Sequence, residues 1–329
     1  MAANGLIMTK TPLRITFVGG GTDIPSFYRE HGPGAVISAA INKYIYIIVN
    51  KKFDGKIRVS YSTTEIVGSL EEIQHPTVRE ALRLLGIHGG IEIVSISDIP
   101  SEGTGLGSSS SFLVGLLNAL HAWKGESASP KQLAEEAVKI EREILGEPGG
   151  KQDQYIAAYG GIQYIEFHGD ESVAVKPLNI PEDKLRMLAE SLILFYTGKH
   201  RRSASIHVNQ MKETGSKLAL YERMRNLSSI MYDSLSKGRI GETGMFLHEN
   251  WLLKRQLASG ISEESIDAMY AAAIAAGATG GKLIGAGGGG FLLFSAEKSR
   301  HAAISKALGL RQEPFDFDQR GSRIVNVGD

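Results

Sequence analysis

Pro100-Ser101-Glu102-Gly103-Thr104-Gly105-Leu106-Gly107-Ser108-Ser109-Ser110-Ser111 stands between two regular patterns. Upstream, Ile91 to Ile99 alternates apolar and polar side chains, which predicts a strand. Downstream, Phe112 to Trp123 is largely apolar and of helical length. A strand, a glycine loop and a helix with serines at its N-terminus therefore follow one another. Glycines let the backbone approach a ligand closely. A helix N-terminus offers unpaired N–H groups and partial positive charge to an anion. Together they make a phosphate cradle, with serine hydroxyls available to a phosphate oxygen or to Mg²⁺. A plain turn with a serine N-cap is the simpler reading, but four serines behind three spaced glycines exceed what a cap requires. No Lys precedes the serines, so G-x-x-x-x-G-K-[ST] is excluded, and glycines at 103, 105 and 107 do not form G-x-G-x-x-G.

N-terminal to this loop, Leu13, Ile15 and Phe17 alternate with Arg14 and Thr16, a half-buried strand that runs into Gly19-Gly20-Gly21-Thr22-Asp23. Met1 to Met8 precede it as a leader with no clear role. Ala35 to Asn50 reads as two strands, Lys56 to Tyr61 as another, and Pro76 to Leu85 as a helix closed by Gly86. The result is a mixed sheet with few early helices rather than a β-α-β alternation. C-terminal to the loop, Ser129-Pro130 opens a helix as N-cap and first helical residue. Leu133, Ala137, Ile140 and Ile144 give it an apolar face with Glu141 on the edge, and Gly146 closes it. Gly149-Gly150-Lys151-Gln152-Asp153-Gln154 follows and reads as a turn. Strands are expected at Gln163 to Phe167 and Ser172 to Leu178. Pro181-Glu182-Asp183 then divides the chain into residues 1–183 and 184–329.

The second part opens with the strand Ser191 to Tyr196. Thr197-Gly198-Lys199-His200-Arg201-Arg202-Ser203 then enters a helix. Cations at a helix entrance oppose the dipole preference. They are either a solvated run or an anion site where several cations and N–H groups converge. Leu218 to Ser236, Gly244 to Leu257 and Ser262 to Ala276 read as helices, with His248 packed or capping. In Gly280 to Phe294, Gly285, Gly287 and Gly290 match G-x-G-x-x-G formally, but a strand-like run follows, so the dinucleotide reading fails. The helix His301 to Leu308 and a short strand near Ile324 to Val327 complete this part.

The 329 residues, 42% of them hydrophobic, allow one large or two ordinary domains. Lys plus Arg and Asp plus Glu number 36 each, and the missing basic excess argues against a nucleic-acid binder. With no cysteine, disulfides and thiolate metal sites are excluded. There is no apolar run of transmembrane length and no signal-peptide pattern, so a cytoplasmic protein without a membrane partner is expected.

The run P-x-x-x-x-G-L-G-S-S-S in this strand–loop–helix setting resembles the nucleotide loop of the GHMP kinases. Arg14 and Asp23 resemble that family's first motif, and the segment Gly280 to Phe294 its third, a glycine strip that packs on the nucleotide loop. Glu141 with Asp153 resembles its pair of a Mg²⁺-holding Glu and an Asp facing the acceptor hydroxyl. The resemblance implies an α+β, two-domain fold. Residues 1–183 would form an ATP-binding domain with a mixed sheet, and residues 184–329 a ferredoxin-like domain. It further implies transfer of the γ-phosphoryl of ATP to a hydroxyl. Gly103, Gly105, Leu106, Gly107, Ser108, Ser109 and Ser110 would hold the phosphates, and Ser109 (or Ser108) with Glu141 would hold Mg²⁺. Asp153 would take the hydroxyl proton beside Arg14. Gly20, Gly21, Thr22, Asp23, Thr197, Lys199, Arg201 and Arg202 would surround the acceptor. Gly20-Gly21 stands where the family more often has Glu-His, which makes the acceptor pocket roomier. Pro12 to Phe27 together with Phe195 to Ser205 is most similar to the D-glycero-D-manno-heptose 7-phosphate 1-kinases of the family, with L-fucose kinase domains next. A non-catalytic sugar sensor on the same fold is the alternative of another class. The partners implied are a sugar phosphate and ATP, and a homo-oligomer is allowed.

Overall fold

Residues 5–100, 103–199 and 203–325 are described by a computed structural model. The chain runs β1 (Ile7–Val18), α1 (Pro25–His31), β2 (Gly34–Lys51), β3 (Ile57–Ser60), β4 (Thr64–Val67), α2 (Pro76–Leu84), β5 (Ile91–Ser97) and α3 (Ser108–Trp123). It continues through α4 (Pro130–Val138), a π-helical turn (Lys139–Ile144), α5 (Gln152–Tyr159), β6 (Ile162–Phe167) and β7 (Val173–Pro177). Then come α6 (Glu182–Glu190), β8 (Leu192–Tyr196), α7 (Ser203–Glu213), α8 (Leu218–Ser236), α9 (Thr243–Lys254) and α10 (Glu264–Ala275). The end of the chain holds β9 (Gly280–Leu283), β10 (Phe291–Ser295), α11 (His301–Leu308), β11 (Arg311–Glu313) and β12 (Arg323–Val325).

The first sheet has the order β12-β1-β2-β5-β3-β4, with β6 on β2 and β7 on β6. The β3–β5 pairing is parallel and its other pairings are antiparallel, so the expected mixed sheet is present. Where two strands were expected over 35–50, β2 is one strand of 18 residues. It looks like two because its neighbours change. On the edge opposite β1, residues 34–39 pair with β6 and residues 45–51 with β5. A register shift opposite Pro12/Leu13 accommodates the change. The first part of β2 is buried at every position, whereas the last part alternates. Both α3 and α8 pack on this strand.

The second sheet is antiparallel, in the order β11-β8-β10-β9. The two halves interlock. Leu227, Met231 and Leu235 of α8 belong to the core of the first sheet. Ile24 and Phe27 belong to the core of the second, with Phe27 stacked on Tyr221 at 5.3 Å. Each such buried side chain contributes about 1.5–3 kcal/mol by leaving water. The expected division at 183/184 lies within α6, and the final strand, read as part of the second half, pairs with β1. No helix among the described residues is long and apolar enough to cross a membrane.

Candidate active site

The glycine loop links β5 to α3 as the sequence predicts. Gly105 and Gly107 adopt φ of +73° and +76°, a region closed to most side chains. Space forbids a side chain as well. A Cβ on Gly105 would lie 2.5 Å from the Ile284 carbonyl oxygen, and one on Gly107 would lie 3.0 Å from Arg14 Cγ. The third glycine strip thus packs directly on the loop: a Cβ on Gly290 would lie 2.3 Å from the Thr104 carbonyl oxygen. Gly107 occupies the N-cap of α3 and makes no side-chain cap, which leaves the first N–H groups of the helix to a ligand. Gly103 and Leu106 complete the loop, Leu106 fully buried. Ser111 anchors the helix from below by donating to the Pro12 carbonyl at 2.8 Å.

Arg14 on β1 ties this loop to Asp153. Its Nε donates to Asp153 Oδ1 at 2.6 Å and its Nη2 to Oδ2 at 2.5 Å, a bidentate pair. Its Nη1 donates to the Gly105 carbonyl, and its backbone N–H to the Leu106 carbonyl at 2.9 Å. Asp153 lies in the first turn of α5 rather than in an irregular turn as expected. Next to it, Gln152 accepts from Thr16 Oγ1 at 2.7 Å and Ser38 Oγ at 3.0 Å, and its amide donates to Asp23 Oδ2 at 3.1 Å. Asp23 also accepts from the Gly21 N–H at 2.9 Å. A Cβ on Gly150 would lie 1.8 Å from Asp23 Oδ2, so that glycine lets the two segments close.

Glu141 occupies the π-helical turn after α4. The wide turn, marked by the Leu145 N–H bonding the Ile140 carbonyl five residues back, rotates the helix out of its 3.6-residue register. Ile144, expected on the buried face, is 46% exposed, while Glu141, expected on its edge, is 1% exposed. Glu141 accepts from Ser109 Oγ at 3.0 Å, from Ser110 Oγ at 2.9 Å and from the Gln154 amide. Ser109 is exposed, whereas Ser108 is buried and 3.4 Å from Thr104 Oγ1. Of the two serines offered for Mg²⁺, Ser109 is therefore the one beside the carboxylate. An oxygen pair with one carboxylate fits a cation that keeps waters and takes its remaining ligands from substrate phosphates. Among the described residues there is no cluster of three or more His, Asp or Glu able to hold a metal alone.

Arg14, Asp153, Asp23, Gly20 and Gly21 line one cleft together with Arg142, Lys254, Lys282, His207 and Gln210. The last five were missed in the sequence. Lys254 ends α9 buried, and its Nζ donates to the Gly285 carbonyl at 2.5 Å. Burial pulls its ammonium down to about 8, with Arg14 adding to the shift and Asp23 and Asp153 opposing it. Lys282 on β9 donates to the carbonyls of Thr16 at 2.9 Å and Phe17 at 3.1 Å. Burial, then Lys254 and Arg14, lower it well below the usual lysine range. His207 is lowered by burial first and then by Lys254. Arg142 donates to the Gly150 carbonyl at 3.0 Å and the Glu147 carbonyl at 3.1 Å.

Three expected acceptor residues lie apart from this cleft. Thr22 is buried beneath it, donating to the Ala35 carbonyl at 2.9 Å. Thr197 donates to the Gly290 carbonyl at 2.8 Å, and Lys199 forms an ion pair with Glu263. His200, Arg201 and Arg202 lie outside the described residues, as do Ser101 and Glu102.

The arrangement brings together a phosphate cradle, a positioned carboxylate and a buried acid beside a serine. The profile of the GHMP kinases N terminal domain matches residues 73–161, and that of the GHMP kinases C terminal matches residues 231–311. A D-glycero-alpha-D-manno-heptose 7-phosphate kinase of Campylobacter jejuni is 31% identical, over 98% of this chain and 99% of that protein. The chain belongs to the GHMP kinase family. The crystal structure of a D-glycero-D-manno-heptose 1-phosphate kinase from Bacteroides thetaiotaomicron superposes with a TM-score of 0.82. Its identity is 26%, over 98% of this chain and 100% of that one. A Lactococcus lactis galactokinase complexed with galactose shares the fold at 18% identity and a TM-score of 0.78, over 97% and 95% of the two chains. As a GHMP kinase the chain is an enzyme of phosphoryl transfer with the expected α+β fold, and the sensor reading is set aside.

Proposed function

We propose that this kinase transfers the γ-phosphoryl group of ATP to the anomeric hydroxyl of D-glycero-D-manno-heptose 7-phosphate, giving the 1,7-bisphosphate in the cytoplasm. The observation that carries the reading is the charge of the cleft. Arg14, Arg142, Lys254 and Lys282 face two carboxylates, Asp23 and Asp153. This excess of cations suits an acceptor that brings a phosphate of its own. The name of the Campylobacter jejuni relative supports the same class of acceptor.

In this mechanism the N–H groups of the loop and of the α3 N-terminus hold the ATP phosphates. Ser109 and Glu141 would hold Mg²⁺, which neutralises phosphate charge when bound. Arg14 fixes the orientation of the Asp153 carboxylate through two hydrogen bonds. Asp153 takes the proton of the anomeric hydroxyl as that oxygen bonds the γ-phosphorus. The bond from γ-phosphorus to the bridging oxygen breaks, and ADP leaves. Most of the rate enhancement then comes from positioning and charge compensation.

A panel of free sugars and sugar phosphates, assayed for ATP-dependent ADP release, tests the reading. Heptose 7-phosphate should give the highest kcat/KM. Preference for L-fucose over every sugar phosphate would overturn it in favour of a free-sugar kinase.

A further inference from the structure

Lys254 is a buried ammonium with three donors, and one of them meets the Gly285 carbonyl. Among the described residues no carboxylate lies within ion-pair distance of it. The other cations of the cleft are already engaged. Arg14 is held by Asp153, Lys282 by the carbonyls of Thr16 and Phe17, and Arg142 by those of Glu147 and Gly150. A buried charge without a counter-charge is costly, and a ligand can supply what the protein omits.

Two unpaired polar groups line the same cleft. Gln210 on α7 is 1% exposed and its Nε2 has no partner, and His207 Nδ1, one turn earlier, is also buried without one. Buried donors are seldom left unpaired in a folded protein. Gly20 faces Lys254 from across the cleft: a Cβ there would stand in ordinary contact, 3.9 Å from Lys254 Nζ and 3.5 Å from Gln152 Nε2.

We propose that Lys254, Gln210 and His207 form a phosphate subsite, which receives the phosphate group the acceptor sugar already carries. The proposal rests on the sugar-phosphate reading above. It moves the recognition of that phosphate from the 199–202 segment to the wall made by α7 and α9. The first half of the chain then performs the transfer, and the second half selects phosphorylated sugars. A phosphate monoester has only acceptor oxygens, which matches an ammonium and an amide N–H₂.

Steady-state kinetics with heptose 7-phosphate, and free heptose as a competitive inhibitor against it, provide the test. The variants are Lys254→Gln and the near-isosteric Gln210→Glu, which sets a carboxylate where a donor stood. Each should raise the KM for heptose 7-phosphate by about ten- to a hundred-fold, the worth of a charged hydrogen bond. The Ki of free heptose and the KM of ATP should stay within about threefold of the parent. If Lys254→Gln does not fold, Gln210→Glu carries the same test. A parental KM in a folded variant overturns the subsite, and so does an equal loss for both sugars, while the sugar-phosphate reading stands. If the parent itself fails to use heptose 7-phosphate, that reading fails first and the subsite falls with it.

Discussion

Arg14 and Asp153 meet through two hydrogen bonds of 2.6 and 2.5 Å, and the proposed chemistry is concentrated there. Asp153→Asn keeps the shape but accepts no proton. Its kcat should fall by about 10²–10⁴-fold while the KM for ATP changes little. A kcat within a few-fold of the parent would remove Asp153 from the reaction. Lys254 makes a prediction in pH. Its ammonium is lowered to about 8, so it is charged below that pH and neutral above it. For an anionic acceptor, kcat/KM should be full near pH 7 and decline as pH rises through about 8. Lys254→Arg, whose guanidinium stays charged, should extend activity to higher pH. An unchanged alkaline limb in that variant would assign the titration to another group. Arg14, Glu141 and Asp153 were legible because each sits in a recognisable sequence setting. Lys254 was not, because a lysine in the last turn of a helix is what the dipole favours anyway. Lys199 drew attention because it opens a run of cations, and it forms an ion pair with Glu263.

At the scale of elements, the π-helical turn and the packed glycines position the site. Apolar periodicity predicted a regular helix through Ile144, and no local signal announces the extra residue that turns Glu141 inward. That residue appears only when the turn packs against Ser109 and Ser110 of α3. Glu141→Gln keeps an oxygen and loses the charge that attracts a hard cation. Rate measured against Mg²⁺ concentration at saturating ATP should show a higher midpoint, and an unshifted midpoint would make Glu141 a purely structural group. The loop itself was legible from its spacing, since glycine at 105 answers both a positive φ and a backbone 2.5 Å away. Gly105→Ala should push the loop off the Ile284 carbonyl. Its KM for ATP should rise at least about tenfold, the effect of losing one well-aligned phosphate contact. An unaltered KM would mean the loop does not hold the nucleotide.

For the whole molecule, the sequence made the two halves visible but not their interlocking. A three-residue strand carries too little pattern to say which sheet it joins. β12 joins β1, and Ser322 is 2.8 Å from Thr11 Oγ1 and 3.0 Å from Asn118 Nδ2. Phe317 packs on Phe17 at 6.3 Å. Truncation after residue 314 should lower Tm by at least about 5 °C, as expected for losing an aromatic contact and a strand. Thermal unfolding would show it, and an unchanged Tm would make the return of the chain to the first sheet energetically idle. The interlocked halves line one cleft, which the proposal divides into a transferring wall and a phosphate-binding one. The measurement that tests this most directly is ³¹P NMR of the product formed from ATP and D-glycero-D-manno-heptose 7-phosphate. One new phosphorus resonance coupled to the anomeric proton, with the 7-phosphate resonance retained, is predicted. Phosphorylation at any other carbon, or ATP left unconsumed, would contradict it.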